Sequence, residues 1–547
     1  MNEADAIVVG SGAAGGWAAK ELTEAGLSVL MLEAGPQERR APSVGRSWAQ
    51  RVWRHARRKQ PVQEMHPIYW NKNPDLFVSD TEQPYGTPTD RPFMWIRGRQ
   101  LGGRTLLWGG VTLRLSDYEL KAAERDGYGP SWPLRYCELA PFYDRVERFL
   151  GIHGTKEGLR QLPDGCFIGS RPLTRAERHL SCGVAAAWPD RRIIPSRGLA
   201  ITQHGGTSSP LSSVSSTIAR AYATGRLRIL TGCVASHLIA NRRTGGAAGV
   251  AFVDAETGDA CFERAQLIVL CASTIETVRI LLTTQKEHPE LPVSESDCIG
   301  RYLMDHVLTG TVVEMDGIAY ESPAPRTGAD SFLLPRYQNL AVAEPYLRGY
   351  GLWGGIQRKG FAGRRGRPAR GFVVAQGEML PRACNRVILG EQRCADGLRN
   401  VHIDCSWGEN DRAIHAAMMS SVGDMMQAGG GHTKALFDSV AFLPGLLGLP
   451  GRLERFWISP APGSFAHEVG GARMGSDPVD SVVDSRNRCW GMPNVLITDG
   501  ACWPTSGWQG PTLTIMALTA RACMMAVADL RRKELGSTDT KRRAKYR

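Results

Sequence analysis

The stretch DAIVVGSGAAG, residues 5–15, constrains the fold more than any other part of the chain. An apolar run this short, closed by glycine, reads as a strand buried on both faces. The residues after it place Trp17, Ala18, Leu22 and Ala25 at helical spacing, and LSVLMLEAG reads as a second buried strand. Together they make one β-α-β unit. Its strand-to-helix turn carries Gly10, Gly12 and Gly15 as G-x-G-x-x-G, with Ala13 and Ala14 opening the helix. Gly10 makes the tight turn, and Gly12 lets a pyrophosphate approach the helix N-terminus. Gly15 lets helix and strand pack closely. Glu33 ends the second strand, where a carboxylate accepts hydrogen bonds from ribose hydroxyls. The unit binds a dinucleotide, and the motif alone does not separate FAD from NAD.

Similar strand and helix elements recur at residues 5–35, 227–282 and 494–532, and the segments between them look different. The expected fold class is therefore α/β: a discontinuous Rossmann-type cofactor domain (1–150, 210–310 and 460–535) interrupted by a substrate domain (151–209 and 311–459). The inserted part is expected to present a β-sheet flanked by helices. Residues 40–95 read as a long irregular excursion, 435–451 as a buried or interfacial loop-helix, and the basic tail 536–547 as disordered.

The net charge of +12 comes from scattered clusters, at 51–60, 358–370 and the tail. No nucleic-acid motif accompanies them. The thirteen cysteines include no C-x-x-C, which argues against zinc or iron–sulfur ligation and suits reduced thiols. No His and acid cluster has metal-ligand spacing. No apolar run of 18 residues without charge suggests a membrane span. No leader segment precedes the first strand, so a cytoplasmic location is the default expectation.

Four blocks carry a more specific resemblance: the N-terminal unit, GRQLGGRTLLWGG (98–110), IGRYLMDH (299–306) and the C-terminal HEVGGARMGSDP with NVLITDGACWPTSGWQGPTLTIMALTARA. In this order they resemble the blocks of the glucose–methanol–choline (GMC) oxidoreductases, most closely the bacterial sugar and glucoside dehydrogenases and pyranose oxidase-like enzymes. The resemblance implies FAD. It assigns the ADP half to Gly10, Gly12, Gly15 and Glu33, and a loop at the flavin end to Gly102, Gly103 and Thr105. Val234 becomes the backbone contact to adenine, and Asp499 and Gly500 approach the pyrophosphate and ribitol. Some relatives bond flavin covalently through a histidine where this chain has Leu107, so the FAD here is expected to be non-covalent.

The resemblance also makes His467 the base that takes the hydroxyl proton of an alcohol while flavin N5 takes the hydride, a role that suits the unperturbed pKa of histidine. The family places Asn or His just before PTLT as a second active-site group, but this chain has Gly510 there. Three readings stay open. Gln509 or another pocket residue supplies the lost bond; glycine makes room for a bulky substrate; or the chemistry is redox-neutral, as in a lyase, or the protein binds FAD at an altered site. Trp503 and Trp508 are candidates to stack on a sugar, with core packing as the alternative. His306 reads as structural, Arg473 as a loop-fixing residue, and His415 and His432 as packing or surface residues. The implied activity is oxidation of a secondary alcohol, on a sugar or glycoside, to a ketone. The electron acceptor is oxygen, a quinone or a carrier protein.

Overall fold

The computed structural model describes residues 3–36, 76–200, 202–204, 207–209, 211–241, 243, 245–319, 331–358, 367–434 and 462–545. Much of the 40–95 excursion, the 435–451 segment, the basic cluster at 51–60 and most of the one at 358–370 lie outside them.

The N-terminal unit forms as its pattern demands. Strand Ala4–Val9, helix Ala13–Glu24 and strand Val29–Glu33 follow one another, and both strands are almost wholly buried. Ala4–Val9 pairs in parallel with Val29–Glu33 on one side and with Ala260–Leu270 on the other. Leu227–Thr231 and Met492–Ile497 extend the parallel sheet outward, and Arg488–Cys489 closes one edge antiparallel. Three segments far apart in sequence thus meet in one sheet, which makes the cofactor domain discontinuous. The strand Ala260–Leu270 has two uses. Its first half pairs antiparallel with Ala247–Asp254, which in turn pairs with Cys233–Ala240, and its apolar second half joins the parallel core. These three strands form an antiparallel meander whose last strand runs on into the parallel core.

The inserted part is a six-stranded sheet in the order Gly431–Lys434, His306–Ala319, Pro368–Glu378, Tyr350–Ile356, Phe332–Leu334, Ile194–Pro195. All of its neighbours pair antiparallel. The helix Glu409–Ala428 packs on it; Gly377 has no side chain because Met418 and Ile414 occupy that space. The strand His306–Ala319 of the second sheet starts inside the stretch assigned from sequence to the cofactor domain, so it carries the chain from one sheet's neighbourhood into the other. The final helix, Thr512–Lys545, continues through most of the segment read as a disordered tail. Its first 21 residues, Thr512–Arg532, are long and apolar enough to cross a membrane, but two-thirds of that stretch is buried against the rest of the protein, as in a core helix. All thirteen cysteines are free thiols.

Candidate active site

The glycine turn has a protein side and an open side. A Cβ on Gly10, which sits at φ +95°, would lie 2.4 Å from the Cys271 carbonyl oxygen, and one on Gly15 would lie 1.9 Å from the Gly10 carbonyl oxygen. Those two glycines are required by the protein's own backbone. Gly12 is different. Its φ of −69° is ordinary, and nothing lies within 4 Å of a Cβ built there. The helix it precedes has neither a side-chain cap nor an acidic residue in its first turn, so the first N–H groups, at Ala13 and Ala14, are left for an anion. A diphosphate fits this cradle. Glu33 is buried nearby; it accepts from the Ser11 N–H (3.0 Å), the Ser11 hydroxyl and the Gly35 N–H (2.8 Å). Burial raises its pKa, and a carboxylate so held keeps lone pairs for a ribose hydroxyl.

The second glycine loop is clamped onto the first. The Gly102 N–H donates to Ser11 Oγ (2.8 Å), the Thr105 hydroxyl donates to the Gly102 carbonyl (2.6 Å), and the Ser213 hydroxyl donates to the Ser11 carbonyl (2.8 Å). A Cβ on Gly103 would stand 3.4 Å from the Gly12 Cα. Thr105 acts between loops through Ser213, whose N–H donates to the Thr105 hydroxyl (2.9 Å), and Ser11 and Ser213, which the motif reading passed over, complete the clamp. Val234 is buried in the strand Cys233–Ala240. Asp499 caps the short turn Gly500–Cys502 through the Ala501 N–H (3.0 Å) and accepts from the Thr277 hydroxyl; burial lifts its carboxyl to about 6. Gly500 leaves space for the Thr274 hydroxyl, which donates to the Glu468 carbonyl beside the base. Leu107 packs with Phe77, Ile96 and Ala466, so the loop that carries it adjoins the base.

His467 lies on a constrained turn. Ala466 before it has φ +56°, a left-handed conformation costly for alanine. Two groups hold that turn. Arg104 donates to the Ala466 carbonyl (2.6 Å) and to the buried Glu468 carboxylate, and its other arm reaches Ser273 Oγ (2.9 Å). The carboxylate of Asp305, itself fully buried, accepts the N–H groups of Gly463 (2.7 Å), Phe465 (3.4 Å) and His467 (3.1 Å). Burial, with Glu468 close by, lifts the Asp305 carboxyl to about 7. The His467 ring is half-buried, and its Nδ1 lies 3.2 Å from His306 Nδ1. Burial first, then His306 and Arg104, push its pKa well below 6.5, so the ring is neutral. A Cβ on Gly510 would stand 3.4 Å from His467 Cε1 and 3.8 Å from Nε2. Position 510 thus faces the edge of the base, with no side chain on it.

The other expected site residues are placed elsewhere. Gln509 is fully buried, and its amide donates to the Arg114 carbonyl (3.2 Å). Trp503 is buried edge-on against Trp132, and the Trp508 ring fills the space beneath Gly351. Arg473 donates to the Asp480 carbonyl and stacks on Tyr302, as a loop-fixing residue would. His432 pairs with Asp316 at the surface, and His415 packs on Trp407. The aromatic surface beside His467 comes from Phe465, whose ring centroid lies 4.3 Å away, and from Trp353, which is tilted over Phe465 at 6.3 Å. Both are half-buried. Phe465 stands two residues before the base, a signal the sequence offered. Trp353 sits on a strand of the second sheet and gave none.

A Rossmann-type sheet with an open diphosphate cradle, a clamped second loop and a neutral histidine beneath an antiparallel sheet defines a nucleotide-dependent oxidoreductase. The chain belongs to the GMC oxidoreductases: the family's N-terminal model matches residues 4–308 and its C-terminal model residues 381–519. It is 26% identical to 2-methyl-1,2-propanediol dehydrogenase of Mycolicibacterium austroafricanum, over 95% of this chain and 94% of that one. It is 28% identical to 6'''-hydroxyparomomycin C oxidase of Streptomyces lividus, over 94% and 90%. Pyridoxine 4-oxidase from Mesorbium loti shares the fold, with a TM-score of 0.60 at 18% identity and coverage of 96% and 99%. The protein is accordingly an FAD flavoprotein that acts on CH–OH groups.

Proposed function

We propose that the chain oxidises a secondary hydroxyl of a sugar or glycoside to a ketone, with His467 Nε2 as the group that takes the hydroxyl proton. The observation that carries this reading is a neutral, half-buried imidazole beside a position with no side chain. A base must be unprotonated and within reach of the hydroxyl, and burial keeps this one unprotonated. FAD, when bound, supplies the hydride acceptor. Gly10, Gly12, Gly15 and Glu33 would hold its ADP half, Val234 the adenine, Gly102, Gly103 and Thr105 the flavin end, and Asp499 and Gly500 the pyrophosphate and ribitol. Leu107 offers no nucleophile, so attachment is non-covalent. Phe465 and Trp353 supply an apolar wall for the C–H face of a sugar ring. Gln509 is engaged with Arg114, which favours open space at Gly510 over a substituted hydrogen bond. That space suits a bulky glycoside.

The test is anaerobic mixing of the purified protein with sugars, glycosides and simple alcohols while the flavin band is followed. Bleaching by glycosides is expected. A bound flavin that no hydroxyl compound bleaches would turn the reading toward redox-neutral chemistry.

Gly510→Asn probes the open position. An asparagine Cβ meets only ordinary contact with the His467 ring, so the protein should fold and keep its flavin. Bulky glycosides should then lose at least about tenfold in kcat/KM while small alcohols gain, because a donor now reaches the reacting oxygen and the space is filled. Unchanged ratios in steady-state assays would show that position 510 does not line the pocket.

A further inference from the structure

The histidine next to the base has a use that its position in the sequence does not reveal. His306 opens the strand His306–Ala319, is fully buried, and is fixed in the ladder opposite Glu378. Its Nδ1 stands 3.2 Å from His467 Nδ1, with the ring planes 75° apart. Two neutral imidazoles that meet nitrogen to nitrogen share one proton: one ring donates and the other accepts. Which ring donates decides whether His467 can act as a base. If His306 donated, His467 would carry its own proton on Nε2, and no lone pair would face the substrate.

The role of His467 makes the choice, and the surroundings of His306 are compatible with it. Its Nε2 is buried with no hydrogen-bond partner, donor or acceptor. The carbonyl groups of Gly507 and Gln509 act on this ring and favour a proton on it. With His467 as the base, its Nδ1 must carry the shared proton, so the His306 proton sits on Nε2 and its Nδ1 is left as an acceptor. We infer that His306 is a positioning residue: its Nδ1 accepts the His467 Nδ1–H and so holds His467 in the tautomer whose Nε2 lone pair faces the open position at Gly510. Burial keeps the His306 ring neutral, with its pKa lowered to about 3, so it remains an acceptor throughout the working range. The proton balance is simple. The hydroxyl proton passes to His467 Nε2, and the resulting imidazolium keeps its Nδ1–H donated to His306. That bond becomes charge-assisted as the proton arrives, and so is stronger when it is needed.

The inference rests on His467 as the base, and the experiment separates the two. His306→Leu removes the acceptor. His306→Asn restores one, because an asparagine Oδ1 sits about where the histidine Nδ1 was. His306→Gln carries its oxygen one bond too far out. Stopped-flow reduction by a saturating alcohol should slow about 10- to 10²-fold in His306→Leu and His306→Gln. His306→Asn should recover most of the rate, with bound FAD and half-saturating alcohol unchanged in all three. Wild-type rates in His306→Leu, or equal slowing in His306→Asn and His306→Gln, would overturn the positioning role; the Asn and Gln pair decides it if the leucine variant fails to fold. If His467→Ala itself reduces flavin normally, the base assignment falls instead.

Discussion

His467→Ala should slow reduction of the bound flavin by alcohol at least about 10²-fold while FAD stays in place. A positioned base is worth about 10²–10⁴-fold, and no other side chain described at this edge is a neutral base. His306 is buried behind the ring, and Asp305 is occupied by three backbone N–H groups. The residues proposed to hold FAD lie on other loops, so retention of the yellow chromophore separates lost chemistry from lost folding. The pH dependence follows in sign. A base acts when deprotonated, and burial has lowered the His467 pKa below its ordinary 6.5. The reduction rate of the native enzyme should therefore still be on its plateau at pH 6.5 and fall only in more acidic solution. Near-normal reduction by the alanine variant, or a native rate that halves near pH 6.5 or above, would end the assignment.

Gly12→Asp should give a folded protein that has lost its flavin, whereas Gly15→Ala should damage the fold as well. The two glycines belong to one motif and look equivalent in sequence. Around Gly12 a Cβ meets no protein atom, and its φ of −69° suits any residue. An aspartate Cβ there meets no protein atom within 4 Å, and its charge would oppose the proposed diphosphate at the helix N-terminus; a loss of about 10²-fold or more in FAD affinity is expected. At Gly15 a methyl group would lie 1.9 Å from the Gly10 carbonyl oxygen. The main chain must move, and with it the turn proposed to cradle the diphosphate. Flavin absorbance after gel filtration, alongside circular dichroism and thermal unfolding, reads both effects. A Gly12→Asp protein that stays yellow would place the diphosphate elsewhere.

The cofactor half of the fold was legible because its signals are local. A buried strand, a glycine turn and a helix lie within about thirty residues, so the parallel unit could be read without knowing its neighbours. His467 was legible as a candidate through its block, which resembles the family's H-x-x-G-x-x-R-M-G segment. Position 510 was legible as an absence. The bounds of the inserted sheet were harder to read, because its strands pair with partners far away in sequence and their alternation does not say with which.

The sequence by itself determined the dinucleotide unit and the family, and it singled out the histidine proposed here as base. The tertiary structure alone decided what surrounds that base. Trp503 and Trp508 are aromatic residues that suit a sugar or a core equally, and only their burial shows that they pack inside. Gln509 adjoins the vacant position in sequence, yet its amide turns toward Arg114. Asp305 and His306 precede His467 by some 160 residues, and no periodicity links them. They meet it because one strand of the inserted sheet starts where the base-bearing turn must be tied down. Hydrogen bonds between groups so distant in the chain form only once both sheets are folded, so local sequence cannot announce them.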